Sequence, residues 1–296
     1  MLGELPPPLA IACHDAGAAN IVFEWLRANA PVDARLLVDG PAAALWIQAP
    51  VPVRYCASIG ELLQDASTLL SGTGWGGDLE HNARRAAQRR GLRSIAVIDH
   101  WTNYRERFSR RGETVLPDEF WVTDDDAHAL ASECFPGYPI RKQPNLYVEE
   151  QLRKIAATRL EEPADLLYVL EPVRDEWGRA VPGEFQALDY FMKHAALIAL
   201  PRTARIRLRS HPSDPPGKYD AWLAKQSGRT VMLDDSPDLA VAIGRATWVA
   251  GCESFALVIA LLAGRRVICT LPPWAPHCRL PHRGLIHLKS IDGAPA

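Results

Sequence analysis

The sequence lacks the features of a membrane-spanning, secreted or nucleic-acid-binding protein. Its longest apolar run, residues 255–263, is about half as long as a membrane-spanning helix requires. Its formal net charge of -2 gives no basic footprint for nucleic acid. Its first residues have neither the basic segment nor the apolar length of a secretory signal. We therefore expect a cytoplasmic protein with no transmembrane segment and no nucleic-acid partner, and contact with a membrane surface is left open.

The sequence also lacks a metal-binding pattern. Its six cysteines form no C-x-x-C pair and have no zinc-ligand spacing; they are Cys13, Cys56, Cys134, Cys252, Cys269 and Cys278. The histidines of the proline-rich segment 271–284 have no metal-ligand spacing either. We expect reduced thiols in or near the core, no bound metal and no cofactor.

The length and pattern of the chain favour two α/β domains. With 296 residues it is long for one core and sufficient for two domains of about 150 residues each. Short apolar strands alternate with helices, as in doubly wound parallel sheets. The polar, partly helical stretch 148–163 predicts a linker between two Rossmann-like domains, 1–147 and 164–296. Polar groups follow strands in both halves, so we expect the domains to face a cleft.

The clearest local pattern covers residues 247–271. It predicts a buried strand, a tight turn, an apolar helix that ends at Gly264 and a second strand, which together form a parallel βαβ unit. The first amides of such a helix, with the helix dipole, attract phosphate. Gly251, Glu253 and Ser254 are therefore candidate phosphate-binding residues. The alternative is that Glu253 and Ser254 only cap the helix, as Ser often does.

Two further strands end in candidate binding residues. The strand at 205–209 is followed by His211 and Pro212, and proline there stops the strand and fixes the loop that presents the imidazole. Ligands of open parallel sheets collect beyond the carboxyl ends of the strands. We therefore expect His211 in the same crevice as Ser254, although a lone histidine is equally often a polar residue without a ligand.

The strand at 165–170 leads into Glu171 and Arg174. Arg174 suits a phosphate, and Glu171 suits the hydroxyl groups of a ribose. Both are predicted at the edge that holds His211.

The N-terminal half contains candidate catalytic residues in similar positions. The strand at 9–13 is followed by His14 and Asp15, and a later buried strand is followed by Asp99 and His100. Such side chains at strand ends act as acids or bases, or bind polyols. Alternatively, each aspartate caps the next helix.

A glycine-rich stretch separates these two groups. Four glycines lie between residues 72 and 77 and bring backbone amides close to a ligand or a neighbouring chain segment. The helix after them has four arginines, which we expect on its solvated face: Arg84, Arg85, Arg89 and Arg90.

These motifs resemble a known family. The turn Gly251-Cys252-Glu253-Ser254, followed by residues 260–268, is similar to the G-x-x-S and E-A-L-x-x-G-x-P-V-I pattern in the donor domain of GT-B glycosyltransferases and the related nucleotide-sugar 2-epimerases. His211-Pro212 resembles the His-Pro element of bacterial sialyltransferase-like and Kdo-transferase-like enzymes, which contributes to holding the nucleotide phosphate. Since Ile259 stands where many of these enzymes have a ribose-binding glutamate, Glu171 and Glu253 are the candidates for that role.

The resemblance implies a metal-independent glycosyltransferase of bacterial surface glycan synthesis. A nucleotide-sugar would be its co-substrate, and a glycan or lipid-linked hydroxyl its acceptor. Asp15, or else Asp99 with His100, would accept the acceptor's proton. Two alternatives are a nucleotide-sugar 2-epimerase or hydrolase of the same fold, and a non-catalytic protein that binds nucleotides or carbohydrates.

Overall fold

A computed structural model describes residues 2–30, 32–74, 76–160, 165–173 and 175–291. The chain divides into two compact units, Met1–Tyr147 and Val148–Ala296. Within the described ranges, none of the helices has the length and apolar composition needed to cross a bilayer.

In its described part, the N-terminal unit contains a parallel sheet of seven strands. The strands are β1 (Leu9–Cys13), β2 (Ala34–Val38), β3 (Arg54–Tyr55), β4 (Thr68–Ser71), β5 (Arg93–Val97), β8 (Glu119–Val122) and β9 (Ile140–Lys142), and a small hairpin is formed by β6 (Ser109–Arg110) and β7 (Glu113–Thr114). The sheet order is β3-β2-β1-β4-β5-β8-β9. The helices are α1 (Ala16–Ala28), α2 (Gly40–Gln48), α3 (Ile59–Leu62), α4 (Leu79–Arg89), α5 (Asp125–Cys134) and α6 (Leu146–Ala157), the last of which continues into the second unit.

The C-terminal unit has a parallel sheet of six strands among its described residues. The strands are β10 (Leu166–Val169), β11 (Ile206–Arg209), β12 (Val231–Leu233), β13 (Trp248–Gly251), β14 (Arg266–Cys269) and β15 (Ile286–His287), in the order β12-β11-β10-β13-β14-β15. The helices are α7 (Gly183–His194), α8 (Asp220–Leu223), α9 (Leu239–Arg245), α10 (Phe255–Leu262) and α11 (Leu288–Ile291).

The central strands are apolar along their whole length because helices cover both faces of each sheet. All five residues of β1 and all four of β10 are buried. In the N-terminal core, the rings of Trp25 and Trp121 meet edge to face with centroids 5.5 Å apart. In the C-terminal core, Tyr168 packs against Phe191 with centroids 5.3 Å apart. The predicted fold class, α/β with two Rossmann-like parallel sheets, is confirmed.

Several boundaries differ from the sequence analysis. Of the stretch assigned to a linker, residues 148–157 belong to α6, where Val148 and Ile155 are buried. The first helix, which the sequence predicts at about residues 20–29, begins at Ala16, directly after Asp15.

Each sheet has one point where the strand order reverses. In the N-terminal unit it lies between β1 and β4, and in the C-terminal unit between β10 and β13. The connections leave in opposite directions there, so a crevice opens beyond the carboxyl ends of the strands, which is where such sheets bind ligands.

Candidate functional site

The C-terminal unit collects the predicted binding residues around its reversal point. β10 pairs with β11 on one side and with β13 on the other. Glu171 follows β10, His211 follows β11, and Ser254 follows β13. All three therefore stand at the carboxyl edge of adjacent strands of one sheet. Arg174 lies outside the described residues.

Ser254 caps α10. Its Oγ accepts a hydrogen bond from the backbone amide of Ala256 at 3.2 Å, which is the capping role considered in the sequence analysis. Gly251 allows the turn to approach β10 closely, since a Cβ there would lie 2.8 Å from the carbonyl oxygen of Val169. The turn is thus held tightly against β10, with the start of α10 beyond it.

The carboxyl group of Glu171 meets the backbone of this turn. Its Oε1 accepts a hydrogen bond from the amide of Glu253 at 2.8 Å, and the amide of Ser254 also contributes. Burial raises the pKa of Glu171 to about 7, and the nearby Glu253 carboxylate adds to the rise against the effect of the two amides. The start of α10 therefore holds a carboxyl group that changes charge near neutral pH.

Glu253 points to the segment that follows β14. Its carboxylate accepts hydrogen bonds from the backbone amide and from Nε of Arg279, both at 3.1 Å. The pKa of Arg279 lies above its ordinary value because of the hydrogen bond to Glu253. Glu253 thus fastens the tail segment to the turn.

His211 is exposed at the end of β11, with the exposed Pro212 after it. The amide of Ser213 donates to Nδ1 of His211 at 3.1 Å, and the Ser213 hydroxyl lies 2.8 Å from the same nitrogen. Because Nδ1 accepts, the neutral ring carries its proton on Nε2, which is then a hydrogen-bond donor. Partial desolvation lowers the pKa of His211, so the neutral form dominates at neutral pH.

In the N-terminal unit, two of the predicted catalytic residues, His14 and Asp15, contact each other through their side chains. Nδ1 of His14 lies 2.6 Å from Oδ1 of Asp15. Asp15 stands at the N-cap of α1, yet its side chain makes no capping hydrogen bond. The carboxylate therefore orients the imidazole through Nδ1, as in a general-base dyad.

The glycine-rich stretch after β4 surrounds this pair. A Cβ at Gly74 would lie 2.2 Å from Cγ of Asp15, and one at Gly77 would lie 2.5 Å from Cδ2 of His14. Gly40 approaches from another side, because its Cβ would lie 2.6 Å from Nε2 of the same ring. The glycines leave room for the two side chains at the reversal point.

Asp99 lies close to Gly17 in the first turn of α1. A Cβ at Gly17 would overlap Oδ2 of Asp99, at 1.7 Å. Its Oδ1 accepts from Nη1 of Arg107 at 2.7 Å, and the same nitrogen donates to Oγ1 of Thr73 at 3.0 Å. Asp99 is thus part of an ion pair that ties the end of β5 to the end of β4.

His100 makes different contacts from those of Asp99. Its Nδ1 lies 3.2 Å from the hydroxyl of Thr102, and its ring packs beside Trp101 with centroids 5.4 Å apart. The indole of Trp101 in turn donates to Asp124, the capping residue of α5.

Glu80 and Arg84 lie buried beside this site, a position that the sequence pattern did not indicate. Glu80 is 1% exposed, and its two oxygens accept from the amides of His14 and Gly74. Arg84, expected on the solvated face, is also 1% exposed and donates to the Ser71 hydroxyl at 3.0 Å and to the Gly72 carbonyl at 2.8 Å. That expectation was wrong, because the free carbonyl and hydroxyl groups at the end of β4 need donors from α4. The Glu80-Arg84 spacing of four residues was the available signal.

Burial shifts the pKa values of this pair. It raises the pKa of Glu80, against the effect of the His14 amide and of Arg84, and lowers the pKa of Arg84 to about 10. Glu80 holds the backbone at His14 and Gly74, and Arg84 holds the end of β4 at Ser71 and Gly72.

The chain is similar to solved structures of one fold. It resembles the UDP-GlcNAc 2-epimerase from Neisseria meningitidis bound to UDP-GlcNAc, with a TM-score of 0.62 and 10% sequence identity over 88% of this chain and 82% of that chain. It also resembles S. aureus MnaA with UDP, with a TM-score of 0.57 and 11% identity over 88% and 78% of the two chains. For the wall teichoic acid polymerase TagF the TM-score is 0.50, with 11% identity over 91% and 71%.

No protein-family model and no curated protein matches the chain. Because these structures are only 10–11% identical to the chain in sequence, the likeness establishes the fold alone, which is of the GT-B type. The finer resemblance to sialyltransferase-like and Kdo-transferase-like enzymes stays a prediction that depends on His211 and Pro212.

Proposed function

We propose that the protein is a nucleotide-sugar-dependent glycosyltransferase whose C-terminal unit binds the donor. The observation that supports this most directly is the position of Glu171, His211 and Ser254 at the carboxyl ends of three adjacent strands, around the reversal point of the sheet. Relatives of the same fold have been solved with UDP-GlcNAc and with UDP. The acceptor in this proposal is a glycan or lipid-linked hydroxyl of bacterial surface glycan synthesis.

The donor's diphosphate binds at the start of α10. Transfer leaves negative charge on the diphosphate, and fixed donors aimed at this charge lower the barrier. The hydroxyl of Ser254 and the Nε2–H of His211 are these donors, because the amides of Glu253 and Ser254 already donate to the carboxyl group of Glu171. The dipole of α10 acts in the same direction, and Arg174 is a further candidate. In this proposal no metal takes part in the transfer.

The N-terminal unit supplies the base. Asp15 holds His14 through Nδ1 at 2.6 Å, which leaves Nε2 to accept a proton from the acceptor hydroxyl. Asp99 is the alternative base. Its ion pair with Arg107 at 2.7 Å makes it less suited to accept a proton than the pair of His14 and Asp15, and His100 is directed to Thr102.

A second candidate is a 2-epimerase or hydrolase that acts on the nucleotide-sugar alone. The strongest structural likeness reported above, with a TM-score of 0.62, is to a 2-epimerase, and His14, Asp15 and Asp99 provide an acid and a base at the carboxyl ends of β1 and β5, the two strands that flank β4. Epimerisation at C2 exchanges a carbon-bound proton, so it incorporates deuterium from heavy water. Transfer does not.

The test begins with the donor. A thermal-shift screen of full-length protein against CMP-, UDP-, GDP- and TDP-sugars identifies it, because a ligand at 100 times its Kd stabilises by about 2.7 kcal/mol. The donor is then incubated alone and with glycan or lipid-linked acceptors. Nucleotide release that requires an acceptor supports the transferase. Release or deuterium uptake without an acceptor supports the second candidate, and binding without any product supports a non-catalytic binding protein.

A further inference from the structure

Three possible metal ligands lie close together at one edge of the C-terminal sheet, where β14 pairs with β15. Cys269 is the last residue of β14, and His287 is the last residue of β15. The two strands are parallel, and Cys269 and His287 are direct partners in their register. Cys278 belongs to the segment that connects these strands. The pairing of β14 with β15 thus brings together residues that are distant in sequence.

The geometry fits a small tetrahedral ion. The sulfur atoms of Cys269 and Cys278 and a ring nitrogen of His287 all lie within 4.8 Å of one another. Zinc binds thiolates at about 2.3 Å and imidazoles at about 2.0–2.1 Å, which places the ligand atoms of a tetrahedral site roughly 3.3–3.8 Å apart. Because 4.8 Å is the upper bound of these separations, a contraction of at most about 1.5 Å closes the site.

The chemistry of the three groups favours the same ion. Two thiolates and a neutral imidazole balance the charge of a divalent cation, so ion and ligands together carry no net charge into the interior. Cys269 is 1% exposed, whereas Cys278 and His287 are partly exposed, which leaves a route for the ion and room for a water as fourth ligand. Apolar side chains line the protein side, among them Leu271 and Leu285. Soft sulfur ligands select zinc over magnesium or calcium.

We propose that Cys269, Cys278 and His287 form a zinc site that fastens the segment between β14 and β15 to the sheet. The residue after Cys278 is Arg279, whose amide and guanidinium hold Glu253. A metal at Cys278 therefore fixes the neighbouring Arg279, which binds Glu253 in the turn that precedes α10. In this proposal its role is structural, and its ligands come from two paired strands and the segment between them rather than from a C-x-x-C knuckle.

The test uses cobalt as a probe for zinc in the full-length protein. The protein is reduced, stripped with a chelator and titrated with Co²⁺ while its visible and near-ultraviolet absorption is recorded. We expect saturation at one equivalent, with the visible bands of tetrahedral cobalt and a thiolate-to-cobalt charge-transfer band. Addition of one equivalent of Zn²⁺ removes both. This readout does not depend on any enzymatic activity.

Variants assign the ligands. Cys278→Ser and His287→Ala are expected to abolish the charge-transfer band or to weaken cobalt binding by about tenfold or more. The matched controls are Cys134→Ser, a thiol in the N-terminal unit, and His277→Ala, an exposed histidine of the same tail segment; both keep wild-type binding. Circular dichroism establishes that each variant is folded.

Three results overturn the proposal. One is reduced, folded wild-type protein that binds neither Co²⁺ nor Zn²⁺. Another is cobalt binding that survives both Cys278→Ser and His287→Ala. The third is cobalt binding without a charge-transfer band, because that would exclude thiolate ligands. None of them bears on the proposed sugar transfer, which uses other residues.

Discussion

Oε1 of Glu171 accepts a hydrogen bond from the backbone amide of Glu253 at 2.8 Å. The side chain at the end of β10 therefore occupies an amide at the start of α10, where the donor's diphosphate is proposed to bind. An ionised Glu171 repels the diphosphate. A protonated Glu171 is neutral and can donate a hydrogen bond to a phosphate oxygen.

The first prediction concerns the pH dependence of donor binding. With a pKa of about 7 for Glu171, the Kd of a nucleotide-sugar is expected to be about tenfold higher at pH 8 than at pH 6. The Glu171→Gln variant keeps an acceptor for the Glu253 amide but has no charge, so its Kd changes little over this range. Isothermal titration calorimetry at both pH values measures this. Glu113→Gln, at an exposed glutamate of the N-terminal unit, is the control and behaves as wild type. An unchanged wild-type Kd between the two pH values contradicts the prediction.

The same group affects stability. Its pKa rises from 4.5 in the unfolded chain to about 7 in the folded protein. The folded state holds this proton more tightly, so the stabilisation is complete below about pH 4.5 and is lost as the pH rises to about 7. The free energy of unfolding of Glu171→Gln, measured relative to that of wild type, should therefore increase by up to about 3 kcal/mol as the pH rises from about 4.5 to about 7. Urea unfolding at several pH values measures the difference, and a difference that does not vary with pH would show that burial of Glu171 has no such effect.

A third prediction separates donor binding from helix capping. Ser254→Ala and His211→Ala should each raise the Kd of the donor, because each removes a group proposed to meet the diphosphate. Ser58→Ala is the matched control: Ser58 caps α3 through a hydrogen bond to the amide of Glu61 at 3.2 Å. Loss of either serine cap costs about 1 kcal/mol of stability. Calorimetry on all three variants tests the assignment, which is rejected if donor binding is unchanged in both site variants.

The fourth prediction concerns the base. Asp15→Asn should lower kcat by about 10²–10⁴-fold with an unchanged donor Kd, because the carboxylate acts on the proton transfer and not on the nucleotide. His14→Ala should have a similar effect. Asp65→Asn is the control, because Asp65 is exposed and its φ of 55° suits asparagine. If instead Asp99→Asn lowers kcat while Asp15→Asn is active, Asp99 is the base.

A fifth prediction tests the role of the glycine-rich loop. In Gly74→Ala the new Cβ would lie 2.2 Å from Cγ of Asp15, so the carboxylate must leave the position in which it contacts His14. We expect a lower kcat and an unchanged donor Kd. In Gly60→Ala the nearest atom is Oγ of Ser58 at 3.7 Å, and its kcat should equal that of wild type. Steady-state kinetics compares the two, and equal kcat values would mean that the fit around Asp15 does not matter.

Much of the fold could be predicted because its central strands are short apolar runs flanked by turn residues. β1, β10 and β13 have this pattern, and the polar residues after them stand at the carboxyl edge for that reason. The edge strands β3 and β15 have two residues each. Such strands depend on a neighbour for their hydrogen bonds and have no pattern of their own.

The finer features of the site depend on contacts that periodicity does not encode. The burial of Glu80 and Arg84 follows from free backbone groups at the end of β4, which only the folded sheet reveals. In the same way, the hydrogen bond of Glu171 to the turn after β13 joins residues 82 positions apart. The meeting of Cys269 with His287 requires the register of two strands.

The measurement that tests the central claim most directly is amide hydrogen exchange, followed by mass spectrometry, on the full-length protein with and without its nucleotide-sugar. The account predicts slower exchange on donor binding in the segments after β10, β11 and β13, at residues 170–173, 210–214 and 252–257. Binding that leaves these three segments unchanged and protects others instead would contradict it.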